Sequence, residues 1–413
     1  MPVNWQRLYA ERAERMRVSD IREILKVTAQ PDIISLAGGL PAPELFPIDQ
    51  YRRAFEWVLE SDGAQALQYG PSEGYAPLRG WVAERLARSG IRCTAEDVLI
   101  TNGSQQALDL IGKIFLNPGD AVLCERPTYL GALQAFNQYQ ARYVVVPMDD
   151  DGMDVEALER ELARDATGPR RIKLIYALPN FQNPTGRSMS RPRRPRLVEV
   201  AARYGVPIVE DDPYGELRYE GEPLPTLKSL DRDGSVIYLG TFSKILAPGF
   251  RLGWVAASPE ALEAILHAKQ PSDLHTGVAQ QMATYHVARD GFVDEHVQHI
   301  KNFYRERRDV MLRALEEHFP AAARFTRPAG GLFVWAELPP EIDTRQLLLE
   351  AVKEKVAFVP GQGFHPDHSG TNTMRLNFSN VPPDLLREGV QRLGQVIQGW
   401  LERGATAERE VRI

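Results

Sequence analysis

The chain has 413 residues, of which 43% are hydrophobic and 25% are charged, as is usual for a globular protein. This length exceeds what one hydrophobic core usually supports, so two or three domains are expected. The net charge of -6 argues against a nucleic-acid partner, and the two cysteines, Cys93 and Cys124, predict no disulfide framework and suit a reducing cytosol.

The N-terminal segment, residues 1–30, is charged from its start and lacks the apolar stretch of a secretion signal. No run of about 18 apolar residues predicts a membrane span anywhere in the chain. We therefore expect a cytoplasmic protein without a membrane partner. Apolar residues at helical spacing predict an amphipathic helix or two in this segment: Ile21, Ile24, Leu25 and Val27.

Short apolar runs alternate with helical patterns from about residue 50 to residue 285. The runs predicted as strands are 97–101, 121–125, 142–147, 173–177, 206–211, 236–240 and 253–257. Strands that alternate with helices predict a mainly parallel sheet covered on both faces. The predicted fold class is therefore α/β, with seven strands between layers of helices.

The C-terminal part of the chain changes in pattern. A long helical stretch over about 277–318 is predicted to bridge two domains, and the tail then has an α+β pattern. The tail's predicted strands lie in 330–338 and 373–379, and its predicted helices lie in 343–355 and 383–401. We expect a large domain over 48–285 and a small domain formed by 1–47 together with 286–413.

Residues 187–196 form a basic run, "RSMSRPRRPR". An anion-binding or nucleic-acid patch is one interpretation. The run contains two prolines and no aromatic residues, so a solvated loop followed by a helix start is the favoured prediction.

The stretch "TFSKILAPGFRLGW", residues 241–254, places Lys244 between a serine and an apolar run, with Arg251 seven residues later. A lysine amine is a nucleophile only when it is deprotonated, which desolvation and nearby cations favour. Such lysines form Schiff bases with carbonyl compounds. The motif alone is a weak signal, so its meaning depends on the rest of the chain.

A predicted strand ends just before Asn102 and Gly103, where the chain turns and a helix begins. The free backbone N–H groups near Ser104 and Gln105, together with the helix dipole, would favour a phosphate. An ordinary helix N-cap is the alternative interpretation.

Another strand ends in Glu210, Asp211 and Asp212, with Tyr214 close behind. Acids at the carboxyl end of a strand lie where open α/β sheets bind ligands. Metal binding is an alternative, but the scattered histidines supply no convincing further ligands, so we predict no metal site. A buried aspartate here could instead keep a pyridine nitrogen protonated.

Two further turns follow strands at the same edge of the predicted sheet. The turn "PNFQNPTG", 179–186, places Asn183 there, although a plain Asn-Pro turn is an alternative. Tyr129, in "ERPTYLG", would either stack on a flat ring or fill the core.

Seven motifs then carry a resemblance: "SLAGGLPAPELFP", "LQYGPSEGYAPLR", "NGSQQALDL", "PNFQNPTG", "EDDPYGELRY", "TFSKILAPGFRLGW" and "NTMRLNFS", in this order. Together they resemble those of fold-type I aminotransferases of classes I and II, which use pyridoxal 5'-phosphate (PLP). The resemblance covers nearly the whole chain and is nearest to 2-aminoadipate and kynurenine aminotransferases and their multisubstrate relatives. It implies the PLP-dependent transferase fold, with a large domain and a small α+β domain.

The resemblance also implies roles for single residues around the cofactor. Lys244 would bind PLP covalently and then move a proton, and Asp211 would hold the ring nitrogen protonated. Tyr214 and Asn183 would hydrogen-bond the ring hydroxyl oxygen, and Tyr129 would stack on the ring. The phosphate would be bound by Ser104, Gln105, Thr241, Ser243 and Arg251.

Four more residues are implied around the substrate and the subunit boundary. Arg375 would bind the substrate α-carboxylate, and Gly39 would line the substrate side, where a side chain would block entry. Arg22 could meet a distal carboxylate, although an exposed helix arginine is an equally good interpretation. Tyr69 would reach the phosphate of a neighbouring subunit, which implies a homodimer with shared active sites.

The resemblance therefore implies ping-pong transamination from an L-amino acid to a 2-oxo acid, with 2-oxoglutarate as the acceptor. The expected donors are 2-aminoadipate, glutamate, and aromatic or large apolar amino acids. A PLP-dependent β-lyase or decarboxylase on the same fold is one alternative. A PLP-binding regulatory sensor is another, but only about 30 residues precede "ISLAGGLP", too few for a DNA-binding module with its linker.

Overall fold

The computed structural model describes residues 2–15, 30, 32–169 and 171–411. Its strands are β1 Ile34–Ser35, β2 Val98–Thr101, β3 Ala121–Arg126, β4 Arg142–Asp149, β5 Gly152–Met153, β6 Ile172–Ala177, β7 Ile208–Asp211, β8 Val236–Thr241, β9 Gly253–Ala256, β10 Arg324–Phe325, β11 Phe333–Glu337, β12 Val356–Ala357, β13 Val359–Pro360 and β14 Thr373–Asn377. Its α-helices are α1 Ile48–Ala66, α2 Ala76–Arg88, α3 Gly103–Phe115, α4 Leu130–Asn137, α5 Val155–Ala166, α6 Arg193–Tyr204, α7 Leu227–Leu230, α8 Pro259–Asp273, α9 Val278–Ala288, α10 Phe292–His318, α11 Thr344–Lys353 and α12 Pro383–Val411.

The N-terminal segment is described only in part. Short 3-10 helices span Trp5–Arg7 and Glu11–Arg15. The apolar positions that predicted an amphipathic helix, and Arg22, lie outside the described residues. No helix in the described ranges combines the length and apolar character that crossing a membrane requires.

The largest sheet has the strand order β2-β9-β8-β7-β6-β3-β4-β5. Strands β8, β7, β6, β3 and β4 are parallel to their neighbours in that run, whereas β9 is antiparallel to both β2 and β8. All seven predicted strands are present. Within the described residues, the sheet gains an eighth strand of two residues, β5, which pairs with the edge strand β4. The predicted α/β class with a mainly parallel sheet is confirmed.

Helices cover both faces of this sheet because its strands are apolar on both sides. Leu174 packs into a cluster with α3 and α8, whereas its neighbour Ile175 packs into a second cluster with α5 and α6. The same alternation holds for Val209 and Ile208. A parallel sheet buried in this way carries its polar groups at the strand ends, so the carboxyl ends of β3, β6, β7 and β8 meet at one edge.

The C-terminal residues form a smaller antiparallel sheet in the order β10-β11-β14-β13, and β1 pairs with β12 in a short parallel ladder. The helical stretch predicted over about 277–318 is present as two helices. Helix α9 ends at Ala288 and α10 begins at Phe292, because Gly291 adopts a left-handed backbone with φ 83. The proposed domain boundaries stay a prediction.

The basic run 187–196 was predicted to be solvated, and for Arg194 this is wrong. Its side chain is 0% exposed. The guanidinium donates hydrogen bonds to the carbonyl oxygens of Pro179, Met189 and Pro225 and to Oδ1 of Asn180, at 2.7–3.1 Å. This arginine therefore joins the start of α6 to the turn that contains Asn183.

We expect Arg194→Leu to lower the free energy of unfolding by about 3 kcal/mol or more, because each buried acceptor left without a donor costs about 1–3 kcal/mol. The measurement is chemical denaturation of the variant and the parent. Arg196→Ala is the control, since Arg196 is partly exposed and pairs with partly buried Glu159 and exposed Glu199, and its loss should cost less than about 1 kcal/mol. Equal losses in the two variants would contradict the buried role.

Candidate active site

A cavity of about 600 Å³ opens at the carboxyl edge of the large sheet. Strand β7 ends at Asp211, β8 ends at Thr241, and α3 begins just after β2. Twelve of the residues predicted from the sequence line this cavity: Gly39, Ser104, Gln105, Tyr129, Asn183, Asp211, Tyr214, Thr241, Ser243, Lys244, Arg251 and Arg375. Tyr69 is 78% exposed and does not line the cavity of its own chain, and Arg22 lies outside the described residues.

Lys244 lies in the turn that follows β8. Its Nζ donates a hydrogen bond to the carbonyl oxygen of Gly39 at 2.9 Å. Burial lowers the pKa of this amine to about 8, and the positive charges of Arg375 and Arg251 add to the effect. The neutral fraction near neutral pH is therefore much larger than that of an exposed lysine, and the neutral amine is the form that acts as a nucleophile or base.

Gly39 approaches the other side of the cavity closely. A Cβ atom at this position would lie 3.2 Å from the ring of Phe333, so a side chain would have to displace that ring or project into the cavity. This geometry agrees with the expectation that position 39 needs a small residue.

Asp211 is buried, and its two carboxylate oxygens have different surroundings. Tyr176 Oη donates to Oδ2 at 2.7 Å, whereas Oδ1 is buried without a hydrogen-bond partner. Burial raises the pKa of Asp211 to about 7, the bond from Tyr176 opposes this change, and the neighbouring Asp212 adds to it. A buried carboxylate oxygen that makes no hydrogen bond costs free energy. Oδ1 is therefore suited to accept a hydrogen bond from a ligand.

Aromatic and amide groups surround Asp211. Tyr129 is held against the start of α4, where a side chain at Gly131 would clash with the tyrosine ring. Asn183 hydrogen-bonds to the phenol of Tyr214 and also accepts from Nη1 of Arg375 at 2.9 Å. The contacts of Asn183 connect the loops that follow β6 and β7 to strand β14.

Arg375 lies in β14, opposite Trp335 on β11. Its guanidinium carbon is 4.3 Å from the ring centre of Phe333 and 5.0 Å from that of Phe364. Nη2 donates to the carbonyl oxygen of Ala37 at 2.9 Å, and Nε is buried without a partner. Among the described residues, no carboxylate forms an ion pair with this side chain, and burial lowers its pKa to about 10. The site therefore suits a planar anion.

The opposite end of the cavity is formed by the N-terminus of α3 and the turn after β8. Arg251 has a left-handed backbone, φ 53, and its guanidinium packs against Gly103, where a Cβ atom would lie 2.5 Å from Nη2. Thr241 Oγ1 and Ser243 Oγ are 2.9 Å apart. Backbone N–H groups, hydroxyls and one guanidinium at this end are together suited to bind an anion such as a phosphate.

Sequence reasoning missed several residues of this site, among them Tyr176, Phe333 and Phe364. Side chains alternate between the two faces of a strand, so Tyr176 is expected on the same face of β6 as Leu174. Asp211 lies two residues after Val209 on the neighbouring β7, and therefore on that same face of the sheet. This signal was present in the sequence. Phe333 and Phe364 come from separate C-terminal segments, and no local pattern indicates that they enclose Arg375.

The fold is of the α/β class, and the site combines a lysine of lowered pKa, a buried carboxylate oxygen without a hydrogen-bond partner and two positively charged ends suited to anions. The profile of the family described as aminotransferase class I and II matches residues 32–393. An aromatic-amino-acid aminotransferase 1 of Thermococcus litoralis is 49% identical over 402 residues, 97% of this chain and 96% of that protein.

Solved structures agree with this match. Pyrococcus horikoshii kynurenine aminotransferase has a TM-score of 0.93 at 47% identity and covers 96% of this chain and 98% of its own. The α-aminoadipate aminotransferase of Thermus thermophilus was solved with N-(5'-phosphopyridoxyl)-L-leucine. It has a TM-score of 0.90 at 43% identity, and the match covers 97% of this chain and 100% of that chain. The chain therefore belongs to the class I and II aminotransferases and is a PLP-dependent transaminase.

The cavity residues fit this cofactor on physical grounds. The unpaired Oδ1 of Asp211 is suited to a protonated ring nitrogen, and the depressed pKa of Lys244 suits reaction with an aldehyde. The anion site around Ser104 and Arg251 is suited to a phosphate. In the described ranges, no group of three or more histidine, cysteine, aspartate or glutamate side chains is placed to hold a metal ion.

We expect Lys244 of the cofactor-free enzyme to react with formaldehyde and a borohydride reagent with a half-maximal rate near pH 8, because its pKa is lowered to about 8. Exposed lysines should reach half-maximal rate near pH about 10.4. Mass spectrometry of the peptide measures the methylated fraction. Arg375→Met removes one nearby cation, so it should raise the Lys244 pKa and move the profile to higher pH. A profile like that of exposed lysines would contradict the desolvated setting.

We expect Tyr176→Phe to weaken PLP binding about tenfold, because it removes a charge-assisted hydrogen bond to Asp211. Without that bond the Asp211 pKa rises further, so the loss should grow as the pH falls. Tyr238→Phe is the matched control, since Tyr238 donates to Asp212, which does not line the cavity. Titration of each variant with PLP measures the affinity, and equal affinities in the two variants would show that Tyr176 has no such role.

Proposed function

We propose that the enzyme moves an amino group from an L-amino acid to a 2-oxo acid by a ping-pong mechanism, with 2-oxoglutarate as the acceptor. The donors are 2-aminoadipate, glutamate, and aromatic or large apolar amino acids. The observation that carries the proposal is the buried guanidinium of Arg375, which has no carboxylate partner among the described residues and shares a cavity with Lys244.

In this proposal each side chain binds or moves a defined group. PLP, when bound, supplies an electron-accepting ring that stabilises negative charge at the substrate α-carbon. Asp211 accepts a hydrogen bond from the ring nitrogen and keeps it protonated. Tyr214 and Asn183 bind the ring hydroxyl oxygen, and Tyr129 packs against the ring. The phosphate is bound by Ser104, Gln105, Thr241, Ser243 and Arg251.

The substrate is oriented between Arg375 and Lys244. The planar guanidinium binds the α-carboxylate through two parallel hydrogen bonds, which fixes the direction of the α-carbon. The amine of Lys244, with its pKa near neutrality, removes the α-proton as a general base and later returns it. Phe333 and Phe364 pack against the guanidinium and exclude water from this end of the cavity.

The donor range is supported by the names of the relatives and by the cavity wall. The relatives act, by name, on aromatic amino acids, kynurenine and α-aminoadipate. Aromatic rings of Phe333 and Phe364 form an apolar wall for a large side chain. In the proposal, Arg22 binds the distal carboxylate of acidic donors.

We also propose a cytoplasmic homodimer in which Tyr69 of one protomer completes the phosphate site of the other. Tyr69 is 78% exposed, and its ring meets the edge of His275 at 5.8 Å. Leu67 and Ile48 are 77% and 70% exposed, which supports their burial in a subunit interface. The net charge of -6 supports the absence of a nucleic-acid partner.

The test is a single-turnover experiment with the PLP-loaded enzyme. L-glutamate, L-2-aminoadipate or L-phenylalanine is added without any acceptor, and the products are analysed by mass spectrometry. We expect one equivalent of the matching 2-oxo acid per active site, released before any acceptor is present. Ammonia or carbon dioxide as the product would instead indicate a β-lyase or a decarboxylase.

The matched variant is Arg375→Met, which retains the bulk of the side chain without its charge. We expect KM to rise about 100-fold for both donor and acceptor, because a buried charge-assisted bidentate pair is worth about 3 kcal/mol. Unchanged KM values would remove Arg375 from the substrate site.

A further inference from the structure

Helix α3 is tied at its N-terminus to the C-terminus of helix α8. Asp273 is the last residue of α8, and its Oδ2 accepts hydrogen bonds from Asn102 Nδ2 at 2.5 Å and from Gln106 Nε2 at 2.7 Å. Gln106 Oε1 in turn accepts the backbone N–H of Asn102 at 2.8 Å. The two residues that contact Asp273 therefore flank the first turn of α3, which contains Ser104 and Gln105.

Asp273 is balanced by a buried cation. Lys269 is 0% exposed, and its Nζ lies 2.7 Å and 2.8 Å from the two carboxylate oxygens of Asp273. A buried ion pair is tolerated only when further hydrogen bonds satisfy its remaining atoms. Asn102 and Gln106 supply those bonds. Neither Lys269 nor Asp273 lines the cavity.

The orientation of Asn102 is unusual for its position. Asn102 is the N-cap of α3, where an asparagine side chain ordinarily accepts the N–H groups of the second or third helical residue. In α3 those residues are Ser104 and Gln105. The side chain of Asn102 makes no such cap bond and donates to Asp273 instead. The N–H groups that the cap would occupy are therefore left for a ligand.

We propose that Asp273, with its charge balanced by Lys269, is a positioning residue that holds Asn102 away from the helix N-terminus. The N–H groups of Ser104 and Gln105 are thereby kept available to the cofactor phosphate. The inference rests on the phosphate placement in the proposed function. Without Asp273, Asn102 turns back to cap α3 and competes with the phosphate for the same donors.

The experiment compares the affinity of the full-length enzyme for PLP with its affinity for pyridoxal, which lacks the phosphate. Absorbance titrations give both dissociation constants, and their ratio measures the contribution of the phosphate. We expect Asp273→Ala to reduce this ratio about fivefold or more, the size of an asparagine cap. Loss of stability alone would weaken both ligands equally and leave the ratio unchanged.

Two variants make the test independent of folding defects. Lys269→Met combined with Asp273→Ala removes the whole ion pair, so no unpaired ammonium is buried, and should give the same fall in the ratio. Asp231→Ala is the matched control. Asp231 pairs with Lys228 at 3.1 Å beside the end of α7, and the two side chains are 1% and 11% exposed, respectively. Asp231 does not line the cavity, so the ratio of the two dissociation constants should be unchanged in this variant.

A third variant tests the competing cap directly. Adding Asn102→Gly to Asp273→Ala removes the side chain that would occupy the N–H groups, so the ratio should recover, and no recovery would overturn the proposal. If the parent prefers PLP and Asp273→Ala keeps that preference, the positioning role is wrong and the phosphate site stands. If the parent shows no preference for PLP, the phosphate placement itself is wrong.

Discussion

Lys244, Asp211 and Arg375 are ionisable side chains that line the same cavity. Among the described residues, none of the three forms an ion pair with an oppositely charged side chain. Burial lowers the pKa of the lysine and of the arginine and raises that of the aspartate. Each group is therefore held in a state that a ligand of complementary charge would stabilise. The surrounding structure keeps these three side chains close together and prevents them from pairing with one another.

The large sheet provides the frame for this arrangement. Because its strands are apolar on both faces, the polar side chains that matter to chemistry are confined to the loops at one edge. Asp211 is the last residue of β7, Lys244 follows the adjacent β8, and Asn183 follows β6 on the other side of β7. The small sheet closes the cavity from another direction, since β14 brings Arg375 to within hydrogen-bond distance of Asn183.

A second set of buried charges is fully paired, and it serves a different purpose. Arg194 is bonded to four acceptors, and Asp273 is bonded to Lys269, Asn102 and Gln106. These groups lie outside the cavity and hold the turns that line it. The two sets differ for a physical reason. A buried charge whose hydrogen bonds are all made fixes the backbone around it, whereas one left unpaired is stabilised when a ligand binds to it.

Much of the fold and of the site could be predicted from residue order. The ends of the strand predicted at 236–240 and of its neighbours lie within a few residues of the observed ones. The strands of a buried parallel sheet appear in the sequence as continuous apolar runs, which makes them easy to locate. One prediction was wrong because long-range contacts overrode a local pattern. Arg194 lies in a run that resembles a surface segment, yet its side chain is wholly buried.

The sequence by itself determined the α/β class and the order of the motifs, because these depend on neighbouring residues along the chain. The tertiary structure alone decided which atoms remain unpaired, such as Oδ1 of Asp211 and Nε of Arg375. It also decided that Asn102 bonds to Asp273, 171 residues away, rather than capping its own helix. Desolvation and hydrogen-bond competition depend on distances in space, and the spacing of residues along the chain does not specify them.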